Sequence, residues 1–226
     1  MIVAGTLTDK DWKELACTLK PEENKNWGNA FHFFEERIRT RYLEPIQSIL
    51  DMEKYEGEGF AIVNLQCSLI ETIESFINGW IYNQKENKDK ELEKNSWYKN
   101  TLHKDNRIGS VNSAEIFISF FKKRLPFIKM NINGLLFYQE VRCPLLHETQ
   151  TKNNWFIRKD SSKISSYEYA NGEKTIYRDQ FQKDLKLVVE DYKKAIIEGR
   201  KFGKGEISTK ELRKNFKTKF NHLCNQ

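Results

Sequence analysis

Cysteine is scarce: four in 226 residues, at 17, 67, 143 and 224. None stands at CxxC spacing from another, so a zinc site has no ligand set to start from. Cys17, Cys67 and Cys143 lie in or beside apolar runs, where a reduced cysteine behaves as a small hydrophobe. The four histidines, 32, 103, 147 and 222, include no pair at metal-ligand spacing. Neither a metal nor a cofactor is expected.

Long apolar runs are missing too. The most apolar stretch, FAIVNLQCSLIETIESFINGWIY (60–82), is interrupted by Asn64, Gln66, Glu71, Glu74 and Asn78. A spanning helix needs about 20 mostly apolar residues, and two acids near its middle are costly in hydrocarbon. The stretch therefore reads as a buried core helix. The N-terminal MIVAGTLTDKDW has no basic region and no long apolar run, so no signal peptide is expected. No membrane partner and a cytoplasmic location follow as expectations. There is no internal repeat. What the protein does have is aromatics, 13% of it, with 15 Phe and 9 Tyr, enough to build a core and to argue against global disorder.

Charge is unevenly placed. The net charge is +6, yet the segment from Lys193 to Gln226 alone carries ten Lys/Arg against three Asp/Glu. A polyanion, most naturally RNA, fits that asymmetry, with Lys201, Lys204, Lys210, Arg213, Lys214 and Lys217 as the contacting residues. A solvated, lysine-rich terminal helix fits the same count equally well.

Periodicity and caps place the elements. Thr8 caps a short helix over about 9–19 that Pro21 closes. Phe31, Phe34, Ile38, Tyr42, Ile46 and Ile49 form one apolar stripe of a longer helix, which Pro45 kinks or restarts. The central helix spans about 60–83, apolar on more than one face. Residues 84–95, QKENKDKELEKN, read as a solvated connector or helix extension. Asn112 with Glu115 caps a helix that Pro126 ends. Asn171-Gly172 predicts a tight hairpin within two or three short strands between 155 and 178. On it Trp155, Tyr167, Tyr169 and Tyr177, with Arg158 and Lys159, offer either a base-stacking surface or a face packed on the bundle. A helix over about 179–198 follows, then a glycine joint. Ser208 with Glu211 is a capping-box pattern for a last helix, about 209–223. The fold class is mainly α: a helical bundle with an inserted small β-hairpin and a basic C-terminal helix. Its parts are an N-terminal helix and linker (1–29), a helical core (30–150), and the hairpin plus C-terminal helices (151–226) packed on the same domain.

RCPLLHE (142–148) carries the chemistry. In a regular helix Arg142 and His147 stand about 140° apart and share no face. Pro144 cannot donate to the carbonyl of Glu140 and its ring clashes there, so a kink or a helix start is expected, and with it convergence of the two side chains on one anion. Such a pair suits RNA cleavage by the ribose 2′-OH, with histidine moving the proton and arginine holding the phosphate as charge builds. Glu148 either orients His147 or continues the helix. Cys143, beside Arg142, is a candidate activated thiol, though no partner histidine is identified for it apart from the Arg–His motif.

With RCPLLH following the long Glu-bearing helix GFAIVNLQCSLIETIESF, the sequence resembles the HEPN superfamily, helical bundles with an R-x(4–6)-H motif. The likeness covers roughly residues 30–150 and rests on element order. It implies a metal-independent endoribonuclease, a homodimer with the motifs of two subunits facing one cleft, and a partner in a toxin–antitoxin or phage-defence system. His147 would be the acid/base, Arg142 the phosphate-binding group, and Glu71 or Glu74 the acidic position of the long helix. The alternative, motivated by Cys143 and Pro144, is a non-catalytic HEPN-like module that binds RNA or a nucleotide, or assembles with protein.

Overall fold

The computed structural model describes residues 1–52, 56–83, 95–102, 108–203 and 207–225. A short ladder of β1 (Ile2–Ala4) and β2 (Leu7–Thr8) leads into α1 (Asp9–Thr18). The cap is reciprocal: the Asp11 N–H donates to Thr8 Oγ1 and the Thr8 N–H to the Asp11 carboxylate.

Next come α2 (Trp27–Ile38), a π turn over Arg39–Leu43, and α3 (Glu44–Asp51). Of the kink or restart expected at Pro45 the structure shows the restart, made through a widened turn. The Glu44 N–H reaches the Arg39 carbonyl, five residues back, and Pro45 sits in the first turn of the next segment, where it has no donor to lose.

The central helix α4 (Glu58–Asn78) is shorter than the apolar run suggests. Gly79 ends it, with φ +69 and the Cα of Asn215 only 3.1 Å from where a Cβ would stand; the left-handed cap and the close approach both demand glycine. Trp80 and Tyr82 thereby leave the helix for β3 (Trp80–Asn83). That strand pairs with β4 (Ser96–Leu102), which pairs with β5 (Ile108–Val111). This sheet is not foreseen in the sequence. Of the 84–95 connector, residues 84–94 lie outside the described residues, as does His103.

Asn112 and Glu115 close a full capping box on α5 (Ser113–Lys123), and a 3-10 turn over Phe127–Met130 follows Pro126. Then come α6 (Gly134–Phe137), a second π turn over Tyr138–Arg142, and α7 (Cys143–Glu148). The hairpin forms as expected: β7 (Tyr167–Ala170) and β8 (Glu173–Tyr177) flank Asn171 and Gly172, both at positive φ. A third strand, β6 (Trp155–Arg158), lies parallel to β8. Trp155 and Tyr177 are buried while Tyr169 is exposed, so the packed-face reading holds for the first two. The protein ends in α8 (Arg178–Glu198) and α9 (Thr209–Leu223). At α9 the Ser208 hydroxyl accepts from the Glu211 N–H, but the Glu211 carboxylate turns to Lys99 instead of completing the box.

The molecule is mainly helical, with α4 at its centre. Ile62, Val63, Leu69, Ile70, Ile73, Phe76 and Ile77 of α4 are all shielded from solvent. Its best window has a mean hydropathy of 1.3, and 61% of that window is buried in the protein, as for a core helix. Residues from all three sequence segments join one buried cluster, including Trp12, Ile73 and Phe216.

Candidate active site

The site grows out of the second π turn. In a regular helix the ring of Pro144 would meet the Glu140 carbonyl. Here the Cys143 N–H bonds to the Tyr138 carbonyl, five residues back. The freed Glu140 carbonyl accepts instead from the Lys152 N–H at 2.9 Å. Of the kink or helix start expected there the structure shows the start, a new helical segment with Pro144 in its first turn, and Arg142 at the end of the wide turn faces α4.

On α4, Glu71 receives it: Arg142 Nε donates to Glu71 Oε1 at 3.0 Å. The guanidinium also lies 5.8 Å from the centre of the Tyr138 ring. Among the described residues, Nη1 and Nη2 of Arg142 have no hydrogen-bond partner. Burial pushes the Glu71 carboxyl above its ordinary range even with Arg142 beside it. Burial, and the hydrogen bond with Cys143, push the Tyr138 phenol up to about 12. Beneath them Cys67 is fully buried and its thiol is likewise raised. Tyr138 escapes a motif search; the signal for it is an aromatic four residues before the arginine on one helix.

His147 is exposed and, among the described residues, makes no hydrogen bond or ion pair. Among the described residues no bond joins Arg142 and His147: Arg142 turns in to Glu71 on α4, and His147 is exposed. Glu148 continues the helix and pairs with Lys152 at 2.6 Å, leaving His147 unoriented. Among the described residues, no histidine is paired with Cys143 either.

The two candidate acids separate. Glu74 is buried against Arg124, with Nη2 to Oε2 at 3.2 Å, and is also bonded by Asn78. It belongs to the core. Glu71 alone belongs to the site.

The basic C-terminal set separates too. Arg213 is 2% exposed. Its guanidinium donates to the carbonyls of Ile196, Ile197, Pro21 and Glu23 and to Asn24 Oδ1, at 2.7–3.3 Å. Ile196 and Ile197 lie in the last turn of α8, whose carbonyls have no intrahelical donor, so Arg213 caps the end of α8 from inside the protein and cannot reach RNA. We expect Arg213→Ala to lower the unfolding free energy by about 1.5–3 kcal/mol in urea denaturation, since buried acceptors lose a charged donor. Lys217 is drawn to the Leu19 carbonyl at 3.2 Å and Lys210 to Glu22 at 2.6 Å. Lys201 and Lys214 remain exposed, and Lys204 lies outside the described residues.

Among the described residues no group of three or more His, Cys, Asp and Glu side chains is placed to hold a metal ion. Comparison with family models, with curated proteins and with solved structures finds no match for this protein.

Proposed function

We propose that the protein is a HEPN-type endoribonuclease that acts as a homodimer without metal. One observation carries the reading. Glu71 takes Arg142 by Nε alone, which orients the guanidinium while leaving its two terminal nitrogens for a phosphate. The long Glu-bearing helix and the R-x(4)-H helix are thus joined through the two residues the resemblance nominates.

In the proposed reaction the ribose 2′-oxygen attacks the adjacent phosphorus and the bond to the 5′-oxygen breaks. The products are a 2′,3′-cyclic phosphate and a 5′-hydroxyl. One His147 takes the 2′-OH proton and the other, from the second copy, protonates the leaving oxygen. Arg142 holds the charge that gathers on the non-bridging oxygens. Leu146, 47% exposed beside His147, puts an apolar side chain where the second copy would close the cleft. A toxin–antitoxin or phage-defence partner is carried by the resemblance alone.

The test is incubation of the purified protein with mixed RNA in EDTA, with product ends identified. Cleavage to cyclic phosphate is expected, reduced at least about 100-fold in His147→Ala and in Arg142→Ala. Activity unchanged in both variants overturns the assignment. A second reading, a non-catalytic RNA- or nucleotide-binding or assembly module, is favoured by Cys143 and Pro144 directly after the arginine. It predicts RNA binding that weakens with salt and no cyclic phosphate.

A further inference from the structure

The first π turn frames a different place. Arg37 from α2, Arg41 from the turn, Tyr82 from β3, Trp97 from β4, and Lys219 and His222 from α9 surround a cavity of about 200 Å³. It shares no residue with the Arg142 site.

Its charge is one-sided. Among the described residues no aspartate or glutamate lines it. Four other shielded cations are matched with carboxylates, Arg124 with Glu74, Arg142 with Glu71, Arg178 with Glu58 and Lys174 with Glu140, while Arg213 is enclosed by five neutral acceptors that use up its donors. For Arg37, Arg41 and Lys219 the partners among the described residues are backbone carbonyls. Arg37 Nη1 donates to the Val3 carbonyl at 2.6 Å, and Arg41 Nη2 to the same carbonyl at 3.4 Å. Lys219 Nζ donates to the Trp80 carbonyl at 2.7 Å, and Lys219 is only 7% exposed. Carbonyls orient these side chains but leave their charge standing. The cations consequently disfavour one another: burial and then Arg41 bring Arg37 down to about 10, and burial and then Arg37 bring Lys219 down to about 8. Lys219 is buried, Arg37 half-buried and Arg41 exposed at the rim, and an anion joining them would offset their mutual repulsion.

The walls say which anion. Lys219 lies over the Trp97 ring at 5.4 Å, and Tyr82, 41% exposed, stands edge-on to Trp97 with centroids 5.0 Å apart. A flat heteroaromatic ring can stack on Tyr82 at the mouth while its phosphate reaches the cations inside. The cavity is below the roughly 300–1,000 Å³ usual for drug-sized pockets, so a single nucleotide suits it better than a continuous strand.

We propose that this cavity binds the phosphate of one nucleotide, free or at the end of an RNA, with Arg37, Arg41 and Lys219 on the phosphate and Tyr82 against the base. The test is calorimetric titration of the full-length protein with the four nucleoside monophosphates, the matching nucleosides, inorganic phosphate, and a short RNA with and without a 5′-phosphate. At least one monophosphate is expected to bind tenfold or more tightly than its nucleoside and than inorganic phosphate. Arg41→Gln, at an exposed position that leaves the core intact, should weaken that binding at least tenfold. Tyr82→Ala should weaken the nucleotide but not inorganic phosphate. Stronger binding of the 5′-phosphorylated RNA than of the free nucleotide assigns the strand end, and the reverse order assigns the free nucleotide; either supports the site. Arg142→Ala should leave binding unchanged, which separates this site from the proposed nuclease. No binding of any phosphorylated probe at millimolar concentration, or binding indifferent to Arg41→Gln, overturns the proposal. Binding of phosphate with no contribution from the base or Tyr82 overturns the nucleotide assignment.

Discussion

Arg124→Ala should lower the unfolding free energy by about 3–5 kcal/mol. Glu74 is wholly buried and Arg124 is 4% exposed, and two of the guanidinium nitrogens meet the two carboxylate oxygens. Arg124 closes α5 and Glu74 lies near the C-terminal end of α4, so the pair pins two helices together. Removing the arginine leaves a carboxylate in the core with only Asn78 and Ser119 to bond it. Neither supplies a charge. Denaturant midpoints with an unchanged slope measure the loss. The companion variant Glu74→Leu/Arg124→Met removes both charges at similar volume, and should recover most of the stability or exceed the starting value. A loss below about 1 kcal/mol in Arg124→Ala would show that the carboxylate is neutralised by other means.

Phe216→Ala should cost a similar amount, about 3–5 kcal/mol, or roughly 6–20 °C in Tm for a protein of this size. Phe216 is fully buried and its ring stands within 6.3 Å, centre to centre, of Trp12, Trp27, Phe31, Phe34, Phe76, Tyr192 and Phe220. Those rings come from α1, α2, α4, α8 and α9. One truncation therefore opens a cavity at the junction of five helices, which cannot all close on it. Phe216→Leu, which keeps most of the volume, should cost less than half as much. Thermal unfolding of the three proteins side by side checks the order, and equal losses for Ala and Leu would refute it.

Much of the fold is written in short-range signals. Thr8, Asn112 with Glu115, and Asn171-Gly172 each satisfy backbone groups within a few residues, and each acts where the sequence predicts, Thr8 with Asp11 closing its box in the structure. The hydrophobic period of 60–78 places α4 at the centre. Beyond residue 78 the same period misleads. Trp80 and Tyr82 continue an apolar pattern that a helix could use, and the strand they join depends on Lys99 and Trp97, well away in sequence. Pairing partners at that separation leave no local trace. The two π turns are half legible: Pro45 and Pro144 mark where a regular helix fails, but a kink and a widened turn both satisfy that constraint, and packing on α4 chooses.

The candidate site divides in the same way. Local sterics and helical period suffice for the caps at Thr8 and Asn112 and for the buried central helix. Which charge meets which was settled only by packing in three dimensions. Glu71 and Glu74 are three residues apart on one helix, yet one takes Arg142, 71 residues away, and the other Arg124, 50 residues away. Arg213 and Lys214 are neighbours, and one caps a helix inside the protein while the other is exposed. Arg37, Arg41 and Lys219 meet no acid among the described residues. An ion pair is a through-space interaction whose strength depends on distance and burial, and both are set only once helices distant in sequence have packed.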